Sequence, residues 1–155
     1  MPSWWRWERS RPVAELSPAE RGFLGRQRVA HLATVDVEGL PQVVPVCFAL
    51  VDSAVYIAID EKPKTGDPRA LKRLRNIVAN PRIALVADVY DDADWGRLGF
   101  VLVRGTARVL ARGSEAPAAL AALRAKYAQY AGMGLEERPM IAVSVERVTR
   151  WGALD

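Results

Sequence analysis

Residues 29–59, VAHLATVDVEGLPQVVPVCFALVDSAVYIAI, decide the fold expected for this chain. Residues 29–35 alternate well enough between apolar and polar side chains to predict a strand. The turn that follows contains Gly39, which can adopt positive φ. Two more strands are predicted over residues 42–51 and 54–59, joined by a short connection. Three strands linked by tight turns predict an antiparallel meander.

The rest of the chain adds strands and helices without regular βα alternation. Because Pro45 lacks an N–H group, its strand is expected at a sheet edge or a bulge. Ser17-Pro-Ala-Glu20 has the capping-box pattern of a helix start. The predicted elements are strands over residues 83–89, 100–110 (interrupted at Gly105) and 140–148, and helices over 18–27, from Asp67-Pro68 to Asn80-Pro81, and from Ser114 to about Tyr130. We therefore expect a mainly β (α+β) protein, with about six antiparallel strands in a small barrel and about three flanking helices.

Composition limits the classes of function. With 155 residues, the chain is expected to form an N-terminal arm, residues 1–16, and one domain, residues 17–155. The arm carries three of the five tryptophans, and we expect its rings to pack on the domain or on a partner subunit. Cys47 is the single cysteine, so no internal disulfide can form and a cytoplasmic setting is expected. No apolar run is long enough to span a bilayer.

Metal and nucleic-acid sites are not expected. His31 and Cys47 alone cannot build a zinc site of the usual kind, and the acidic loop around Asp91 matches no calcium motif. The formal net charge of +4 permits nucleic-acid binding but does not indicate it, and no helix-turn-helix is visible.

Cations cluster after the third predicted strand. Lys62-Pro-Lys64 is followed by Arg69, Lys72, Arg73 and Arg75. Pro63 stiffens the loop, and a helix that begins nearby would offer free N–H groups to an anion. The pattern indicates a phosphate or polyanion site; the alternative is a solvated basic surface.

Catalytic motifs are missing from the sequence. It contains no G-x-S-x-G elbow, G-x-G-x-x-G fingerprint or P-loop. His31 is expected to be a packed strand residue. An anion site beside apolar strands, without chemical machinery, favours a bound cofactor that carries the chemistry. Binding without turnover is also compatible with these residues.

Several short segments carry a family resemblance from about Pro18 to Trp151. They are Leu32-Ala-Thr-Val35 with Gly39-Leu-Pro41, Val44-Pro-Val-Cys-Phe48, Tyr56 with Asp60-Glu-Lys-Pro-Lys64, Arg73-Leu-Arg-Asn-Ile77 with Asn80-Pro81, Asp94-Trp95 and Val103-Arg-Gly105. In this order and spacing, the chain resembles the pyridoxamine-5′-phosphate-oxidase-like split-barrel flavoproteins. It is most similar to their branch of deazaflavin (coenzyme F420)-dependent oxidoreductases.

The resemblance implies a homodimer of six-stranded split barrels, with the cofactor in a groove between subunits and hydride transfer to a small organic acceptor. It assigns the ring pocket to Pro45, Val46 and Cys47 and the phosphate to Lys62 and Lys64. Arg73 and Asn76 are expected nearby, and Trp151, with Trp95, on the substrate side, from either subunit. No catalytic residue is named; Tyr56 is the one candidate proton donor.

One departure from the family separates the cofactor hypotheses. Residues 42–47 contain no cation, whereas pyridoxamine-phosphate oxidases grip the flavin phosphate with an arginine and a lysine on this strand. This departure favours the deazaflavin over FMN and weakens a vitamin B6 oxidase. The alternatives are an FMN-binding oxidoreductase of the same fold, a non-catalytic cofactor or tetrapyrrole binder, for which His31 or Cys47 could be an axial ligand, and, last, nucleic-acid binding.

Overall fold

The computed structural model of the chain describes residues 9–12, 15–60, 67 and 71–155. In this part of the chain, eight strands and three α-helices alternate with short 3₁₀ segments. In chain order they are β1 (Arg9–Pro12), α1 (Pro18–Arg26), β2 (Ala30–Val35), β3 (Pro41–Val46), β4 (Ala49–Val51), β5 (Ala54–Ala58), α2 (Lys72–Ala79), β6 (Arg82–Val89), β7 (Gly99–Leu110), α3 (Pro117–Lys126) and β8 (Met140–Gly152).

All strands belong to one antiparallel sheet, ordered β3-β2-β6-β7-β8-β5-β4, with β1 paired to β8. The expected mainly β, antiparallel fold with three helices is confirmed. The strand number differs from six for two reasons. The strand expected over residues 42–51 breaks at Cys47 and Phe48 into β3 and β4, and residues 9–12 of the expected arm pair with β8.

Alternation along the strands builds two apolar clusters. The larger one covers the inner face of the sheet and includes Phe23, Leu32, Phe48 and Val143. The smaller one lies between α3 and strands β4, β5 and β8, and it includes the fully buried Leu123. Because each cluster covers one face of the β4–β5 hairpin, that hairpin is held from both sides.

Gly105 marks an irregularity between the two longest strands. The pairing of β7 with β8 shifts register between Arg104 and Gly105. A Cβ atom at position 105 would lie 2.0 Å from the carbonyl oxygen of Ser144, so a side chain does not fit there. The interruption expected at Gly105 is therefore a β-bulge, which bends the strand.

The helix termini confirm one capping signal and correct another. Ser17 and Glu20 form the expected capping box at the start of α1. The start expected for the second helix at Pro68 lies outside the described residues; Leu71 has extended backbone (ψ 135°), and α2 begins at Lys72. The third helix ends at Lys126 instead of Tyr130, and Pro117, not Ser114, opens it.

Within the residues that the structure describes, no helix has both the length and the apolar character needed to cross a membrane.

Candidate functional site

The end of β3 and the end of β5 border a cavity of about 270 Å³, which we call the β3 cavity. Its walls come from β3, from β5 and the residues after it, from α2 and from the 3₁₀ segment after α3. The lining residues are Val44, Pro45, Val46, Cys47, Ile57, Ala58, Asp60, Arg73 and Tyr130.

The sequence-predicted ring pocket maps onto one wall of this cavity. Pro45, Val46 and Cys47 all line it. β3 is the end strand of the sheet path, so the expectation of an edge position for Pro45 is confirmed. After Val46 the chain leaves the β2 ladder, and this break opens the space that the three residues line.

Arg73 and Asp60 give the cavity opposite charges. Arg73 projects from the first turn of α2, and burial lowers the pKa of its guanidinium, an effect that the charge of Asp60 opposes. The Asp60 backbone is fixed by Arg138, whose guanidinium donates hydrogen bonds of 2.7 Å to the carbonyl oxygens of Ile59 and Asp60. A half-buried cation whose surroundings disfavour its charge would gain from an anionic ligand.

Tyr130 closes the cavity on the side of α3. Its hydroxyl donates to Asp60 Oδ2 at 3.2 Å, and only 3% of the residue is exposed. Burial is the main cause that raises the pKa of Tyr130, and the nearby Cys47 and Asp60 raise it further. The hydroxyl is therefore a neutral donor at physiological pH.

The structure brings only part of the predicted site together. Lys62 and Lys64 lie outside the described residues. Asn76 is 3% exposed, and its Nδ2 donates to Thr34 Oγ1 at 3.0 Å inside the protein, away from the residues that line the β3 cavity. Trp151 contacts Phe100, with ring centroids 6.1 Å apart.

Trp151 lies far from the β3 cavity within one protomer. Met140, at the start of β8, pairs with Ala58 of the cavity wall, whereas Trp151 is near the other end of the same strand. Eleven residues of extended strand span roughly 35 Å. Trp151 lines a different depression, formed with Ala19 and the chain end.

The cations of α2 do not share one face. Lys72 forms an ion pair with Asp36 at 3.3 Å, Arg73 enters the β3 cavity, and Arg75 lines an apolar groove on α2 and β7. Arg69 lies outside the described residues. A continuous cationic surface along this helix is therefore not formed by its described residues.

Other candidates from the sequence have ordinary surroundings. His31 is exposed on the outer face of β2, which corrects the expectation of a packed residue. Tyr56 packs against the α3 cluster and does not line the β3 cavity. Within the described ranges no three His, Cys, Asp or Glu side chains gather closely enough to hold a metal ion.

Sequence reasoning missed Asp60 and Tyr130 as cavity residues. Tyr130 was expected in the last turn of a long helix. The 3₁₀ segment Ala128–Gly132 instead follows α3 and turns the phenol inward. The sequence signal for Asp60 was its place at the start of Asp60-Glu-Lys-Pro-Lys64, and no sequence motif indicated Tyr130.

A second space adjoins the first. A groove of about 800 Å³ runs along the C-terminal end of α3 and the following 3₁₀ segment, and we call it the α3 groove. Cys47 and Tyr130 line both spaces, so the two meet at these residues. The volume of the α3 groove alone is in the range of pockets that hold small organic molecules, about 300–1,000 Å³.

A family model described as pyridoxamine 5′-phosphate oxidase matches residues 16–152. The chain belongs to this family. It is also 28% identical over 135 residues to a 5a,11a-dehydrotetracycline/5a,11a-dehydrooxytetracycline reductase of Streptomyces rimosus, a match that covers 84% of this chain and 78% of the relative. The family and this relative support oxidoreductase-type function.

Solved structures share the fold. A conserved hypothetical protein of Mycobacterium tuberculosis superposes with a TM-score of 0.69 at 17% identity, covering 92% of this chain and 89% of that one. The heme storage protein HutZ of Vibrio cholerae superposes with a TM-score of 0.67 at 18% identity, covering 88% of this chain and 96% of that one. At these identities the likeness concerns the fold alone.

Proposed function

We propose that the protein is a reductase that uses reduced coenzyme F420 to transfer a hydride to an electron-poor double bond of a small organic acceptor. The observation that carries this proposal is the β3 cavity, where apolar β3 residues face the half-buried guanidinium of Arg73. Membership of the family and similarity to a reductase support the reaction class.

The residues present fit a flat ring system with an anionic tail. Pro45 and Val46 offer rigid apolar surface, while Arg73 offers a cation whose charge is disfavoured by burial, an effect that Asp60 offsets only in part. At about 270 Å³, the cavity of one protomer is slightly smaller than a typical complete small-molecule site. This size supports a site that a second subunit completes.

The bound deazaflavin would supply the hydride. Pro45, Val46 and Cys47 would hold its ring and exclude water, which strengthens every electrostatic contact in the site. Arg73 would pair with an anionic group, together with Lys62 and Lys64 of the loop after Asp60. Arg138 would keep the Asp60 backbone in place through its two hydrogen bonds.

A homodimer is part of the proposal. The edge strand β3 and the turn before it expose Val37, Leu40 and Val43, which are 84%, 58% and 61% accessible. An exposed apolar edge is a common place for a second chain to bind. The partner would cover this edge and bring Trp151 of its own chain toward the substrate side.

Separate titrations of the purified protein with F420 and with FMN test the cofactor. Micromolar or tighter binding of F420, about −8 kcal/mol, would mark a specific site. Stronger binding of FMN would favour the FMN oxidoreductase, and a Soret shift with haemin, without either flavin, would favour a tetrapyrrole binder.

Variants connect the cofactor to this cavity. Arg73→Gln should weaken F420 binding at least tenfold, whereas Arg75→Gln, two residues along the same helix but outside the β3 cavity, should not. Lys62→Ala with Lys64→Ala should cost about 2–5 kcal/mol if both grip a desolvated phosphate. Equal affinity in all variants would contradict the assignment.

A further inference from the structure

The α3 groove contains two cations that have no acidic partner among the described residues. Arg28 and Lys126 line it, and neither forms an ion pair with a carboxylate of the described residues. Arg124 also lines the groove but pairs with Glu136 at 2.6 Å. Arg28 and Lys126 are therefore the charges available to a ligand.

Hydrogen bonds and rings hold both cations in place. Arg28 donates to the carbonyl oxygen of Lys126, and its guanidinium carbon lies 5.9 Å from the ring centroid of Tyr127. Lys126 Nζ donates to the Leu24 carbonyl at 3.2 Å and lies 3.8 Å from the centroid of Phe48. Cations fixed by aromatic faces lose less freedom when they bind an anion.

The groove also offers an apolar surface for a flat molecule. Tyr127 presents a ring whose hydroxyl is occupied by backbone groups, and Met133 presents a flexible thioether. Thioethers adapt to aromatic ligands and contact ring edges favourably. Charge and apolar surface thus occur together in a space of about 800 Å³.

We propose that the α3 groove binds an organic anion with a planar apolar body, such as a carboxylate, sulfonate or enolate on a ring system. We also infer that the hydride acceptor is an anion of this class whose electron-poor double bond lies in the planar body, apart from the charged group, and takes its proton from water after the hydride, because the groove meets the β3 cavity at Cys47 and Tyr130. This second step rests on the proposed cofactor site; the anion site itself does not.

The probe is 8-anilinonaphthalene-1-sulfonate, and its uncharged analogue N-phenyl-1-naphthylamine is the control ligand. The full chain is labelled with ¹³C at the methionine methyl groups. Binding in the groove should shift the Met133 methyl saturably and leave Met140, which is 1% exposed, unchanged. A dye that binds without moving the Met133 signal would overturn the site.

Charge variants test the class of ligand. Arg28→Gln combined with Lys126→Met should lower the affinity for the sulfonate dye at least tenfold. The affinity for the neutral dye should change less than twofold. Arg82→Gln, an exposed arginine at the start of β6 that does not line the groove, is the matched control. An equal decrease in affinity for both dyes, or no decrease for either, would overturn anion recognition.

Binding of the dye in the presence of a cofactor distinguishes this inference from the proposed function. With F420 or FMN bound, the sulfonate dye should still shift Met133. Displacement of the dye by the cofactor would overturn the acceptor assignment. Failure of both cofactors to bind, with the dye still in place, would overturn the cofactor proposal and the acceptor step, and leave the anion site standing.

Discussion

The hydroxyl of Tyr127, the C-cap residue of α3, accepts a hydrogen bond of 3.0 Å from the backbone N–H of Phe48. The same oxygen lies 2.9 Å from the carbonyl oxygen of Arg28 and 3.0 Å from that of Phe48, to which it can donate. Phe48 lies at the strand break between β3 and β4, where its backbone N–H and carbonyl have no ladder partner among the described residues. One phenol therefore satisfies the backbone at the break.

Tyr127→Phe should destabilise the protein by about 1–3 kcal/mol, because it leaves the buried N–H of Phe48 unsatisfied. Urea unfolding measures the change. Tyr56→Phe is the matched control: this phenol sits on β5 against the same apolar cluster, and its hydroxyl makes no hydrogen bond to the described residues. Equal effects of the two substitutions would contradict the role of Tyr127.

Gly105→Ala should destabilise the protein by several kcal/mol, roughly the cost of a serious clash in a packed interior. The new Cβ would meet the carbonyl oxygen of Ser144 at 2.0 Å, and backbone cannot move aside as a flexible side chain can. Gly25→Ala provides the control, since nothing lies within 4 Å of its Cβ position in α1. Thermal unfolding that ranks the two variants in the opposite order would refute the steric argument.

Lys126→Met should raise stability near pH 7, and the gain should shrink by pH 10. Burial, with the charge of Arg28, lowers the pKa of Lys126 to about 8, while the nearby Cys47 raises it slightly. Between pH 8 and 10.5 the unfolded chain binds more protons at this lysine than the folded chain, so the wild type gains stability as pH rises.

The expected gain at pH 7 is only about 1 kcal/mol, because the lysine is half-buried and water screens its charge. Loss of the contact between Nζ and the Phe48 ring opposes the gain. Urea unfolding of both proteins at pH 7 and pH 10 measures the difference. If the difference in free energy of unfolding between the two proteins is the same at pH 7 and pH 10, the charge of Lys126 does not destabilise the folded protein.

Val43→Lys should convert the expected homodimer into a monomer of 17.1 kDa. A lysine on an exposed strand edge opposes its pairing with another chain. Sedimentation velocity over a range of concentrations gives the mass. Val78→Lys places the same charge on the exposed face of α2 and should leave the mass unchanged. A wild type that is monomeric at all concentrations would contradict the dimer itself.

Local signals in the sequence were sufficient for most of the fold. The period-two pattern of β2, the edge proline Pro45 and the capping box of Ser17 and Glu20 all depend on neighbouring residues. These features act within a few positions, so the sequence displays them directly. The interruption at Gly105 also follows from a single residue that lacks a side chain.

The missed features depend on contacts between distant parts of the chain. The break after Val46 is stabilised by Tyr127, and the place of Tyr130 depends on Asp60, 70 positions away. Asn76 shares the α2 motif with Arg73, yet its amide faces Thr34 in the interior while the guanidinium lines the cavity. Spacing in the chain could not distinguish these two orientations.

The break between β3 and β4 also connects the β3 cavity with the α3 groove. Cys47 borders both, and the next residue, Phe48, is tied to the helix end by the Tyr127 hydroxyl. A molecule in the β3 cavity that shifts the backbone beside Pro45 would therefore also shift Tyr127. Because Tyr127 lines the α3 groove, this shift would change the binding of a molecule there. By thermodynamic linkage, any such effect on affinity is equal in both directions.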